Sequence, residues 1–456
     1  MQIKRYPMNP AERRAVSGLA GIFALRMLGL FLILPVFSLY AESLAGHTPF
    51  LVGLALGIYG LTQSLFQIPL GAASDRFGRK PVIALGLLVF ALGSVVAALS
   101  HSIHGVIIGR ALQGAGAIAS AALALTADLT RDNQRTKAMA IIGITIGGSF
   151  MVSLLLGPIL GSRLGVPGIF WLTAVAVILA LPVLFLWVPT AITMKTHKAL
   201  SWEAFSGVLR HPQLIRLNVG IFMLHCVLMA LFVALPKVLV TYAQIPLERH
   251  WQLYVPVLLA SVVVMAPFVL LADRKNIMRQ VFSGAVLLLL VSQLFLFFEY
   301  KNFIGVVAGL FLFFVAFNFL EASLPSLVSR TAPARNKGAA LGVYSTFEFF
   351  GAFVGGISGG TVYGAWGLHT VFLFSGLILI PWCVLAFTMK MPRLLSTRTV
   401  TVGRQAPEKA EEIAKRLSTL PGVTEAVVNA DEGVAYLTVD DSVFEPAELE
   451  DYSVTA

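Results

Sequence analysis

Between residues 16 and 389 the chain is a succession of apolar stretches, each close to the ~20 residues that a helix needs to cross the hydrocarbon of a bilayer. Backbone in lipid has no water to bond to, so a stretch of this kind satisfies its own N–H and C=O groups as a helix. Twelve can be marked, at 16–39, 50–73, 81–99, 105–128, 137–161, 168–188, 217–240, 251–272, 280–298, 303–328, 338–363 and 368–389. With 57% hydrophobic and only 12% charged residues, the chain is no ordinary soluble protein. It reads as an all-α polytopic membrane protein.

The connecting segments test that count, because a missed stretch would scramble their charges. With the N-terminus inside, the inner segments carry Arg76, Arg79 and Lys80, then Arg131, Arg135 and Lys137, then Lys195, Lys198, Arg210 and Arg216, then Arg274, Lys275 and Arg279, then Arg330, Arg335 and Lys337. The outer segments hold only Arg163, Lys237, Arg249 and Lys301. This asymmetry predicts twelve spans with both termini in the cytoplasm. Lys4, Arg5, Arg13 and Arg14 precede a first stretch with no small-residue cleavage site, so that stretch is expected to stay as a helix. The net charge of +10 divides into about +17 before residue 397 and −7 after it. The basic residues lie in short loops facing anionic lipid, which argues against nucleic acid as a partner. Cys226 and Cys383 sit far apart inside apolar stretches and support neither a disulfide nor a thiolate metal site; no metal site is read from the sequence.

Two pairs of short patterns recur at nearly constant offset. Asp75-Arg76 returns as Asp273-Arg274, 198 residues on, and Arg135-x-Lys137-Ala-Met-Ala returns as Arg335-x-Lys337-Gly-Ala-Ala, 200 residues on. Duplicated halves predict two bundles of six helices. They are assigned to 1–188 and 217–390 and are joined by a cytoplasmic linker at 189–216. Within the linker Ser201 is a helix cap, followed by Trp202, Phe205, Val208 and Leu209 on one face of a short interfacial helix.

Between the second and third stretches lies Gly71-Ala-Ala-Ser-Asp75-Arg76-Phe-Gly78-Arg79-Lys80. Gly71 permits close backbone approach and Gly78 a tight turn, while Asp75 at the interface needs a cation or a helix N-terminus to offset its desolvation. This spacing resembles the signature loop between helices 2 and 3 of the major facilitator superfamily of transporters. Arg110-Ala-Leu-Gln113-Gly-Ala-Gly in the fourth stretch resembles that superfamily's helix 4 motif, to which proton coupling is attributed, although a buried arginine satisfied by helix carbonyls is the structural alternative. Gly157-Pro158-Ile-Leu-Gly161 in the fifth resembles the signature of the exporting, antiporter branch, and Arg26 lies in a first stretch similar to that of drug/proton antiporters. The resemblance implies a latch made of Gly71, Asp75, Arg76, Gly78, Arg79, Lys80 and Asp128, with Asp75 also facing the N-terminus of the eleventh helix in the outward-open state.

Arg26 lies too deep to anchor at the interface and needs an acceptor; the carboxylates available in the apolar stretches are Glu321 and Glu348. Asn318 and Glu321, three residues apart, share a helix face, read here as lining a central cavity where Glu321 gains and loses a proton. A permanent ion pair is the alternative. His225 titrates near neutral pH if it faces that cavity and is a packing residue if it does not. Tyr59, Gln63 and Gln67, four residues apart, form a polar stripe suited to substrate or to interhelical hydrogen bonds.

After Met389 the composition changes. Residues 397–402 alternate like a strand, 407–420 read as a helix, 423–429 and 434–439 as a hairpin, and 445–451 as a second helix. This order resembles a ferredoxin-like fold, assigned to 397–456, though without the Cys-x-x-Cys of copper-binding relatives. A domain this small is read as docking on a cytosolic partner or on the basic inner loops, with a solubilising appendix as the alternative. Core and tail together resemble the YajR type of bacterial major facilitator transporter. The resemblance implies a monomeric transporter in the bacterial inner membrane, not an enzyme and without a cofactor, among lipids. It would move small drug-like or metabolite compounds by alternating access, as an exporter driven by a proton gradient. Proton-coupled uptake, or a sensor signalling through the tail, are the competing readings.

Overall fold

The computed structural model describes residues 7–190, 202–274, 277–333, 337–389, 395–403, 406–430, 433–440 and 444. The chain divides into two compact units, Met1–Val269 with Arg279–Met389, and Leu270–Met278 with Lys390–Ala456. The longer helices before residue 390 are α1 (Pro10–Phe31), α2 (Pro49–Phe77), α3 (Arg79–Leu99), α4 (Ile103–Ala115), α5 (Ala119–Asp128), α6 (Asp132–Pro182), α7 (Trp202–Arg210), α8 (Pro212–Thr241), α9 (His250–Arg274), α10 (Met278–Glu299), α11 (Phe303–Thr331), α12 (Lys337–Trp366) and α13 (Leu368–Phe387). Pro10, Pro49 and Pro212 occupy first helical positions, where no N–H is needed. Asn9 and Glu12 form a reciprocal cap on α1, each side chain accepting from the other's backbone N–H at 2.8 Å.

Among the described residues eleven helical segments are long and apolar enough to cross a bilayer. Twelve were expected. The difference arises at α6, a 51-residue segment that takes in the fifth and sixth stretches, with only Gly165 out of helical geometry (φ 67, ψ 171). The chain reverses there with almost no loop, and a left-handed φ of this kind is easily held only by glycine. Two other stretches are interrupted. The first ends its helix at Phe31, before Pro35, and helix resumes at Phe37; the fourth breaks after Ala115, where Gly116 has ψ 41, and resumes at Ala119 as α5. Each break frees backbone carbonyls for use by side chains.

α2 and α12 cross with their backbones almost touching. A Cβ on Gly57 would stand 2.7 Å from the carbonyl oxygen of Phe353, and one on Gly356 would stand 2.5 Å from that of Gly53. Gly60 faces the Phe349 carbonyl and Gly360 that of Pro49 in the same manner. Small residues are what allow such approach, since without water between helices it is close packing that holds them. Elsewhere glycines have space: nothing lies within 4 Å of a Cβ built on Gly338 or Gly342 of α12, Gly21 of α1, or Gly143, Gly147 and Gly148 of α6.

The tail unit is a three-stranded antiparallel sheet, β1 (Leu395–Thr401), β2 (Val423–Asn429) and β3 (Val434–Asp440), in the order β1-β3-β2, with α14 (Pro407–Leu417) between β1 and β2 in the chain. Val400, Ala435, Leu437 and Val439 project from alternate positions onto Leu417 and Phe444, which makes a small core. Strand, helix and hairpin stand where the alternation placed them, while the helix expected at 445–451 lies outside the described residues.

Candidate functional site

Three helices bring His225 (α8), Glu321 (α11) and Glu348 (α12) together. Nε2 of His225 lies 3.6 Å from Glu348 Oε1 and 4.0 Å from Glu321 Oε2. Their side chains keep 13%, 40% and 23% of their exposure for His225, Glu321 and Glu348, so they border open space rather than a sealed core. Asn318, one turn before Glu321, donates to Ser261 Oγ on α9 at 2.9 Å and fixes the α11 face against that helix. Phe317 sets its ring 6.1 Å from His225, and Phe150 of α6 meets Phe232, Phe314 and Phe317 at 6.2–6.4 Å. The result is a polar trio beside an aromatic wall that joins the two halves of the sequence.

Arg26 does not pair with either glutamate. Its Nη2 donates to Gln63 Oε1 at 2.5 Å and to the Gly116 carbonyl at 3.4 Å, and its guanidinium lies over Tyr59 and Phe90 at 5.8 and 5.6 Å. The break after α4 supplies that carbonyl, and an amide oxygen with two aromatic faces stands in for the carboxylate. Arg110 is fully buried and donates to Gln113 Oε1 at 2.8 Å and towards the Ala55 and Leu56 carbonyls at 3.4 and 3.5 Å; Gln113 in turn donates to Ser94 Oγ at 2.7 Å. This is the geometry of an arginine satisfied by a neighbouring helix, with Tyr59 held at 5.0 Å under its charge.

The stripe of Tyr59, Gln63 and Gln67 is buried. Gln67 Nε2 bridges to α12, donating to Thr346 Oγ1 at 2.9 Å and the Gly342 carbonyl at 3.2 Å. Gln67 thus bonds across to α12 and Gln63 to Arg26 of α1, while Tyr59 lies beneath the guanidinium groups of Arg26 and Arg110. Gly157 and Gly161 fit α6 onto the unwound segment after α1: a Cβ on Gly157 would meet the Leu32 carbonyl at 2.6 Å, and one on Gly161 would meet Val36 Cγ1 at 3.0 Å. Pro158 lies between them within the helix.

At the α2–α3 turn, where Gly78 has φ 97, Arg79 is the hub. It pairs with Asp75, reaches Asp128 Oδ2 at 3.2 Å and donates to Ser74 Oγ at 2.6 Å. Gly71 lies against Ser120, whose Oγ would stand 2.8 Å from an added Cβ. Lys80 donates to the Val188 carbonyl at 2.6 Å, whereas Arg76 lies over the ring of Phe77, itself exposed. Asp75 thus pairs within its own half; residues 334–336, just before α12, lie outside the described set.

Two ion pairs escaped sequence reasoning. Glu12, buried in the first turn of α1, accepts from the Arg131 guanidinium at 2.8 and 2.9 Å. At the Pro49 end, Lys237 Nζ meets Glu42 Oε1 at 2.5 Å and Tyr363 Oη at 3.3 Å, and lies 4.8 Å from the Tyr363 ring centre. A lysine one residue after Pro236 inside an apolar stretch was the available signal. Since Glu42 is half exposed, its pair with Lys237 is worth about 0.5–1 kcal/mol. Glu42→Gln is expected to raise thiol labelling of the α2–α12 interface from that end about two- to fivefold, and unchanged labelling would remove the pair from the closure.

The major facilitator superfamily family model matches residues 19–356 and, in a second placement, 250–428. The chain belongs to the major facilitator superfamily. It is 43% identical over 447 residues to the inner membrane transport protein YajR of Escherichia coli (strain K12), covering 98% of both chains. It is also 26% identical over 387 residues to multidrug resistance protein 2 of Bacillus subtilis (strain 168), covering 79% of this chain and 91% of that one. Among solved structures, a bacterial homolog to human lysosomal transporter Spinster in an inward-facing and occupied conformation superposes with a TM-score of 0.67 at 12% identity, over 84% of this chain and 97% of that one. A major facilitator chain is a multi-span membrane transporter and not an enzyme.

Proposed function

We propose that this transporter exports small apolar or cationic compounds in exchange for protons, by alternating access in the inner membrane of a bacterium. The observation that carries this reading is the trio of His225, Glu321 and Glu348, two carboxylates on an imidazole beside an aromatic wall. An ionisable group inside a membrane protein is costly, and it is kept where charge or protons move. Glu321, the most exposed of the three, is the proton carrier; Glu348 and His225 share its charge, and Asn318 positions its helix. Arg26, Gln63, Arg110 and Gln113 hold the first bundle rigid around Tyr59, and Gln67 ties it to α12.

The reading takes α6 as two spans broken at Gly165, which gives twelve in two bundles, 1–188 and 217–390, linked by 189–216 with both termini in the cytoplasm. With the Pro49 ends of α2 and α12 packed glycine against backbone, the reading takes this as the inward-facing state. The Asp75–Arg79–Asp128 cluster is then the latch that engages the other half when the cytoplasmic side closes, and the Gly157–Gly161 packing is the antiporter hinge. The tail, 397–456, is a ferredoxin-like domain: two strands flank an antiparallel central one, with the helix leading from the first to the second. The chain works as a monomer among lipids, and its tail docks on a cytosolic partner or on the inner loops.

Flux of a panel of organic cations and neutral drugs in proteoliposomes under an imposed pH gradient tests this. Glu321→Gln is expected to reduce gradient-driven flux to background while leaving gradient-independent exchange. A variant with wild-type flux and the same pH dependence would take Glu321 out of the coupling.

A further inference from the structure

We infer that His225, Glu321 and Glu348 capture a divalent first-row transition-metal cation as a cargo in its own right. Three donors come from three different helices, and their ligand atoms all lie within 4.8 Å of one another. Around a tetrahedral ion with bonds near 2.0–2.2 Å, donor atoms stand about 3.4 Å apart. The two separations from His225 Nε2, 3.6 and 4.0 Å, need side-chain movement of under about an ångström to reach that arrangement. The remaining separation, between the two carboxylates, is within 4.8 Å and closes by rotation of the glutamate side chains.

The charge of the site asks for a cation. Among the described residues the ion pairs of Glu321 and Glu348 are both made with His225, so neither carboxylate has a lysine or arginine beside it. Glu321 Oε2, the oxygen nearest the imidazole, is itself buried and accepts no hydrogen bond. An acceptor in that position costs free energy until something positive reaches it.

Ligand type selects the ion. One imidazole nitrogen and two carboxylate oxygens, with a further position towards the open space, match the three-ligand sites of zinc and its neighbours. Calcium takes six to eight oxygens and magnesium keeps an octahedral shell, so neither matches this donor set. Spacing along the chain hides the site, because its members lie 96 and 27 residues apart and meet only when α8, α11 and α12 pack.

The inference rests on the transport reading for the fate of the ion but not for its capture, and Co2+ separates the two. Purified full-length protein in detergent, titrated with Co2+, is expected to bind one ion per chain with the intense visible absorption of tetrahedral cobalt, displaced by Zn2+. His225→Gln, Glu321→Gln and Glu348→Gln should each weaken binding at least tenfold. His225→Cys should retain binding and add a sulfur-to-cobalt charge-transfer band, which keeps the test decisive should the glutamine variant fail to fold. Absence of the tetrahedral spectrum, or its persistence in the His225→Gln/Glu348→Gln double variant, overturns the inference. Proton-driven flux of organic compounds without Co2+ binding would overturn it and leave the transport reading standing. Co2+ binding that follows these residues without such flux would uphold the capture site and sink proton-coupled export.

Discussion

Replacing Gly57 with leucine is expected to hold the Pro49 ends of α2 and α12 apart and to abolish transport. The added side chain has nowhere to go, because its Cβ alone would stand 2.7 Å from the Phe353 carbonyl oxygen and 3.1 Å from Phe353 Cα. Both are backbone atoms in a helix and cannot rotate away. Overpacking of this kind costs about 1–3 kcal/mol, and applied to one state of a two-state equilibrium it shifts the ratio about 5- to 150-fold. A cysteine pair at Pro49 and Gly364 reads the closed state, since a Cβ on Gly364 would lie 3.3 Å from Pro49 Cβ, near disulfide spacing. Cross-linking should be efficient with Gly57 present and largely lost in Gly57→Leu, with Gly57→Ala between them. Retained cross-linking together with retained flux would mean that the glycine contact is packing without a part in the cycle.

The second large effect is expected at Arg79. Its side chain is 8% exposed and that of Asp128 2%, and both Asp75 and Asp128 lean on the same guanidinium. Removing one partner of a buried pair costs up to about 3–5 kcal/mol. Arg79→Leu should therefore lower the unfolding temperature in detergent well below that of the wild type. Adding Asp128→Asn should cost less than it does alone, because the two side chains touch, so the two changes will be less than additive. A single variant with wild-type thermal stability would show that water or another group replaces Arg79, and the hub would lose its place.

Much of this architecture was legible from periodicity and turn chemistry alone. The long apolar stretches mark the helices because lipid leaves the backbone no alternative, and the Gly78 turn is readable because its neighbours are charged and the residue itself has no side chain. The tail strands emerge from alternation, with β2 found at 423–429 as read. Pairing across the bundle was not legible. Arg26 was assigned a carboxylate because a buried charge calls for one, yet a helix break offered the Gly116 carbonyl, and nothing local announces that Gly116 and Arg26 meet. Glu42 and Lys237 are 195 residues apart and meet only where the segment after α1 packs on α8. The α6 reversal was masked by Arg163 and Pro167, which read as loop residues but lie within helical geometry on either side of Gly165.

The segment from Asp132 to Gly165 has a further consequence. As a helix it extends about 50 Å at 1.5 Å per residue, well beyond the ~30 Å of hydrocarbon, so its Asp132 end is a lever arm standing clear of the lipid. A rotation of ~10° about the Gly165 elbow sweeps that tip through roughly 9 Å, while a probe at mid-membrane moves about half as far. On the alternating-access reading proposed above, the rocking is written largest at that tip, where a spectroscopic ruler can be placed without touching the path of the cargo.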